Sequence, residues 1–121
     1  MLKDLIIFQK AYDFLKWAHV LVGKYPKAEK FVLAARTENA ALDLLSTGSE
    51  AIDVRDKALA LGRLNLALDK TSVWVRLGFE LRFMSLKQYE FGARMIDEIG
   101  RLLGGWNKKS GGAGVTAPPK G

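Results

Sequence analysis

The chain has no cysteine among its 121 residues. Disulfides, thiolate zinc sites and thiol catalysis are therefore excluded, which suits a reducing cytosol. Long apolar runs are missing too. The longest near the start, Leu5 to Phe8, is broken by Gln9 and Lys10. It is too short for a signal-peptide core and far too short to span a bilayer. The expectation is a soluble, cytoplasmic protein with no membrane partner.

Catalytic signatures are equally scarce. His19 is the single histidine, and no arginine stands in the few positions before it, as an arginine–histidine ribonuclease pair would require. It is expected to be a hydrogen-bonded core or interface histidine. No Walker loop, GxSxG elbow, HExxH or dinucleotide fingerprint occurs. Gly100, Gly104 and Gly105 fall late in a helical pattern, not between a strand and a helix, so they form no phosphate cradle. Asp69 and Glu80 share a narrow polar seam with Arg76. Arg76 and Glu80 make an ordinary i,i+4 pair, so the seam reads as structural. The chain is expected to be no enzyme, with no catalytic residue, cofactor or metal.

What the chain does have is positive charge. Nineteen Lys and Arg oppose thirteen Asp and Glu, a net charge of +6, and the length fits one domain with a sizeable core. Such a balance favours nucleic acid or another acidic partner. Lys87, Arg94, Arg101 and Lys108 recur at every seventh position. Seven residues are nearly two α-helical turns, so all four project from one side of a single helix. Tyr89, Ala93, Ile96, Gly100 and Leu103 line the other side and are apolar or small. Glu90 and Asp97 each precede an arginine by four, the order that also makes a solvated, salt-bridged face. The stripe continues into Lys109 and Lys120, where no acid follows. Arg63 and Lys70, also seven apart, share a side of the preceding helix, while Arg76 and Arg82 point elsewhere. These separated cations make no single patch within one subunit.

Apolar spacing predicts four helices. The first has its stripe at Leu5, Phe8, Tyr12, Leu15 and Val22, with His19 in the remaining slot. It stops at Gly23, and Tyr25-Pro26 marks the turn. The second is expected from about Ala28 to Ala51, with Phe31, Leu42 and Leu45 as its stripe and Ala34, Ala35, Ala40 and Ala41 allowing close approach. Asp53 or Asp56 can cap a third helix that runs to about Phe83. Ser85 and Gln88 have capping-box spacing and open a fourth, from about Leu86 to Trp106. Residues 107–121 are Lys, Ser, Gly, Ala and Pro-rich and are expected to form a flexible basic tail. The predicted fold is all-α, an antiparallel up-down four-helix bundle over residues 1–106.

The third helix is apolar on two sides. Leu61, Leu64, Leu68, Val75 and Phe79 fall on one, and Leu59, Leu66, Val73, Leu77 and Leu81 on the other. The first helix is similarly broad, with Ile6, Phe14, Trp17 and Leu21 off its main stripe. One small core cannot cover all these faces, so a homo-oligomer is expected.

The segment Gly100-Arg-Leu-Leu-Gly-Gly-Trp106, with Tyr25-Pro26 after the first helix and Leu81-Arg82-Phe83 closing the third, resembles the accessory variability determinants of diversity-generating retroelements. The similarity spans roughly residues 4–108. A broader likeness, in the tyrosine-proline turn and alanine-rich second helix, is to the four-helix bundles encoded in ribosomal RNA intervening sequences. The first resemblance implies a homopentameric barrel without catalytic activity. Its implied partners are a reverse transcriptase and template-repeat RNA or cDNA, and its implied role is support of mutagenic copying. By motif position Arg82 and Arg101 match arginines of the family pattern and are candidates for RNA or polymerase contact. Lys87, Arg94, Lys108, Lys109, Arg63 and Lys70 are added from geometry. The second resemblance implies a protein–protein interaction module with no nucleic-acid role.

Overall fold

The computed structural model describes residues 2–53 and 55–109, with side chains described over 5–50 and 55–105. Four helices account for almost all of it: α1 (Leu2–Val22), α2 (Leu33–Asp53), α3 (Lys57–Glu80) and α4 (Leu86–Lys109), with a short 3-10 turn at Lys27–Glu29 before α2. No strand occurs among the described residues. Each helix packs on the next, and α4 closes the bundle by returning to α1.

Contacts between neighbours fix their directions. Thr71 of α3 reaches the Ala40 carbonyl of α2, and Leu64 of α3 lies beside Gly48. Residue numbers rise on one helix as they fall on the other, so the pair is antiparallel. Between α3 and α4 the same holds for Phe79 with Tyr89 and Leu68 with Gly100. Lys10 with Glu98 and Trp17 with Phe91 repeat the pattern for α1 and α4.

Local chemistry sets the ends. The Asp56 carboxylate accepts from the Leu59 backbone N–H at 3.1 Å, capping α3. At α4 the capping box forms in full. The Ser85 N–H donates to Gln88 Oε1 at 2.8 Å, and the Gln88 N–H donates to Ser85 Oγ at 3.1 Å. α3 ends at Glu80 in a Schellman motif: Arg82 N–H bonds to Phe79 O and Phe83 N–H to Gly78 O, each at 2.9 Å. Arg82 occupies the left-handed position, at φ 69°, where glycine is usual.

The core is built from Ile7, Ala11, Phe14, Ala18 and Leu21 of α1, Leu33, Ala41 and Leu44 of α2, Leu61, Leu64, Leu68 and Val75 of α3, and Ile96, Ile99 and Leu103 of α4. This corrects the expected stripe of α1. Leu5, Tyr12 and His19 are exposed, Phe8 and Leu15 half-buried, and only Val22 is buried. The core face lies about 100° further round the helix, and Phe14 and Leu21, read as off the stripe, stand at its centre. The expected stripe of α2 is corrected likewise. Phe31 is 84% exposed and Leu42 43%, Leu45 is half-buried, and Leu33 and Leu44 with the small residues Ala34, Ala40 and Ala41 make the buried face instead. α2 starts at Leu33, later than expected, because Pro26 and the 3-10 turn intervene. α4 continues three residues past the expected end at Trp106.

For α3 the bundle buries one of the two apolar sides and leaves the other exposed. Leu61, Leu64, Leu68 and Val75 are buried and Phe79 is half-buried. Leu59, Leu66, Val73, Leu77 and Leu81 form an outward apolar ridge, between 36% and 60% exposed.

Candidate nucleic-acid interface

The strong one-sided pattern of α4 turns its cations away from the bundle. Ile96, Ile99 and Leu103 are buried against the core, while Lys87, Arg94 and Arg101 are all exposed. Spacing of seven keeps the three in line along the helix axis. Lys108 and Lys109 extend the helix backbone, but their side chains lie outside the described residues, as does Lys120.

The acids beside this stripe behave unequally. Asp97 pairs with Arg101 at 3.0 Å, an exposed i,i+4 contact. Glu98 turns to α1 and pairs with Lys10 at 3.0 Å, so it ties two helices and leaves the stripe. No ion pair links Glu90 to Arg94 among the described residues. Arg94 therefore offers a more available charge than Arg101, a distinction that the regular spacing of the two did not reveal.

A second set of cations lines a groove between α2 and α3, about 420 Å³ in volume. Arg63 and Lys70 of α3 stand on its wall, both exposed. Opposite them α2 contributes Arg36, Asp43 and Thr47. Trp74 closes one end with the Arg36 guanidinium 5.8 Å from its ring centroid, a cation–π arrangement. The sequence reading placed Arg63 and Lys70 together but missed Arg36 and Trp74. They lie on different helices, and only the antiparallel pairing of α2 with α3 brings them to one place. This groove and the α4 stripe occupy different sides of the bundle.

The remaining candidates sort themselves structurally. Arg82 is exposed in the α3–α4 turn, five residues before Lys87 at the start of α4. Arg76 pairs with Glu80 at 3.0 Å, the structural pair expected of that seam. His19 is exposed, not a core residue, and its Nδ1 meets the Glu38 carboxylate of α2. That contact ties α1 to α2 at the surface. Among the described residues no group of three or more His, Asp or Glu is placed to hold a metal ion. No described helix is long and apolar enough to cross a membrane.

One solved structure with the same architecture is that of a protein of unknown function from the S23 ribosomal protein family of Bacteroides thetaiotaomicron VPI-5482. It is 24% identical and superposes with a TM-score of 0.75 over 88% of this chain and 98% of its own. At that identity the likeness concerns the fold. No curated protein matches the sequence. The bAvd-like family model matches residues 5–110, a span that contains all four helical cores and both cationic sets. The chain belongs to the bAvd-like family.

Proposed function

We propose that this protein is a non-catalytic accessory subunit of a diversity-generating retroelement. It acts as a homo-oligomer, pentameric by family resemblance, that binds the element's reverse transcriptase and its template RNA or the cDNA copied from it. In this way it supports mutagenic copying. The observation that carries the reading is the outward stripe of Lys87, Arg94 and Arg101 on a bAvd-like bundle. A rigid helix holds these charges in line, about 10 Å apart along its axis, where they can meet phosphates spaced along one strand.

Contacts of this kind are electrostatic and tolerant of sequence. Each cation that neutralises a phosphate releases counterions, so affinity falls steeply with salt. The oligomer multiplies the effect, since one RNA can touch stripes on several subunits. The α3 ridge of Leu59, Val73 and Leu77, beside the groove that Leu66 lines, is the surface best suited to join subunits.

The test is charge reversal. Arg94→Glu with Arg101→Glu should lower affinity for template RNA and reduce the salt slope by about 1.4, the loss of two single-strand phosphate contacts. Circular dichroism should be unchanged, because both side chains are exposed. Parent-like binding by the double variant would reduce the stripe to a solvated face.

A further inference from the structure

The groove between α2 and α3 is unexplained by the α4 stripe, and its chemistry is more specific. We infer that it is a base-stacking site for unpaired nucleic acid, in which Trp74 and Arg36 hold a base and Arg63 and Lys70 hold the strand's phosphates. The inference rests on the proposed nucleic-acid role and assigns it a second, structurally distinct contact on each subunit.

The dimensions favour a strand over a free nucleotide. From Arg63 to Trp74 the groove follows α3 for eleven residues, about 16 Å along the axis. That is longer than one nucleotide, with Arg63 at one end and Trp74, Lys70 and Arg36 toward the other. Trp74 is half-buried, so its ring is held by the bundle yet reachable from the groove. Indole and guanidinium planes are the usual platforms for unpaired bases, whose faces are free only outside a duplex. Arg36, Arg63 and Lys70 have no ion-pair partner among the described residues, so no internal bridge must break when phosphate arrives.

Asp43 decides between the two acidic polymers that a cationic groove can attract. It stands on the α2 wall among these cations, where it repels a phosphate or a carboxylate. A base can satisfy it, since base edges carry N–H donors that a carboxylate accepts. An acidic peptide has only its backbone N–H groups to offer there, and its side chains bring like charge. The lining thus alternates as a single strand does, with cations for phosphate and an aromatic shelf and an acceptor for a base.

The experiment uses the full-length protein and a fluorescein-labelled, unstructured 12-nucleotide RNA of mixed sequence, followed by anisotropy across a salt series. Arg63→Ala with Lys70→Ala, both exposed, should weaken binding about tenfold and lower the salt slope by about 1.4. Trp74→Leu should also weaken it roughly tenfold, with the salt slope unchanged and duplex RNA binding unaffected. Circular dichroism verifies folding, and the exposed double variant keeps the test valid should Trp74→Leu unfold. If the RNA binds the parent and only the stripe variant weakens it, the groove assignment is overturned and the accessory role stands. If AMP or an octaglutamate peptide competes as well as the RNA, the groove is not a strand site. If the parent binds no RNA at all, both readings fall together.

Discussion

The Trp17 indole of α1 occupies the space that a side chain at position 92 of α4 would need. A Cβ built on Gly92 would lie 2.7 Å from Trp17 Cζ3 and 3.0 Å from Cζ2, with Cη2 closer still. Gly92 is buried, and Trp17 is wedged between Phe14 and Phe91, with ring centroids 5.5 and 6.1 Å away. A rigid bicyclic ring so held cannot swing aside cheaply. Gly92→Ala should gain roughly 1 kcal/mol of helix propensity and lose about 1–3 kcal/mol to overpacking. A net fall in Tm is expected in calorimetry, and Trp17→Leu in the same chain should recover part of it.

Arg82 sits at φ 69° in the Schellman turn after α3, a conformation that costs a side-chain-bearing residue about 1–2 kcal/mol. Glycine would remove that cost. Arg82→Gly should stabilise the bundle by about 0.5–1 kcal/mol and raise Tm by a few degrees. Under the proposed accessory role the same variant should bind reverse transcriptase or RNA more weakly, because it loses an exposed cation. A variant that is more stable and binds equally well would show that the arginine has no functional role.

Tyr25 presents the one buried side-chain polar atom without a hydrogen-bond partner among the described residues, its hydroxyl. The hydroxyl lies against Gly78, where a Cβ would collide with it, and the ring packs on Phe83 at 5.3 Å. Burial pushes its pKa up from 10.0 to about 12. The folded state then holds this proton more tightly than the unfolded state, so stability is lost as pH rises from about 10 to 12. Tyr25→Phe should be neutral or stabilising by up to about 1 kcal/mol at neutral pH, because an unsatisfied hydroxyl is removed. It should also flatten the decline in stability over that alkaline window, measured by urea unfolding against pH.

The exposed ridge of α3 sets a further expectation. Leu59 and Val73, 52% and 60% exposed, contribute little to the subunit's own core, so Leu59→Lys with Val73→Lys should leave the helices folded. The double variant should dissociate the oligomer. Light scattering at high salt, which strips nucleic acid, should give the parent a mass near five times 13.4 kDa and the variant a mass near 13.4 kDa. A monomeric parent would remove the basis for reading the ridge as an interface.

How far these features were legible in the sequence depends on how local they are. The Ser85–Gln88 capping box spans four residues and uses only their own atoms, so spacing alone identified it. The two apolar sides of α3 were readable for the same reason. α1 was misread because apolar residues surround most of its circumference, and periodicity cannot choose among faces that are all apolar. The choice is made by packing, which buries Ala11, Phe14 and Ala18 completely. For α2 the large residues Phe31, which precedes the helix, and Leu42 drew the stripe to the wrong side, whereas Leu33 and Leu44 with the alanines form the buried one. Arg63 and Lys70 were visible as a pair on one helix, but the groove was not, since Arg36 joins them only through the pairing of α2 with α3.

Reconstitution with a reverse transcriptase is the sharpest test of the proposed accessory role. Purified full-length protein, mixed with the reverse transcriptase encoded in the same element and its template RNA, should co-elute with the enzyme on size exclusion. It should also increase cDNA synthesis over the enzyme alone, and Arg94→Glu with Arg101→Glu should reduce that gain. Separate elution, with cDNA yield independent of the added protein, would contradict the account.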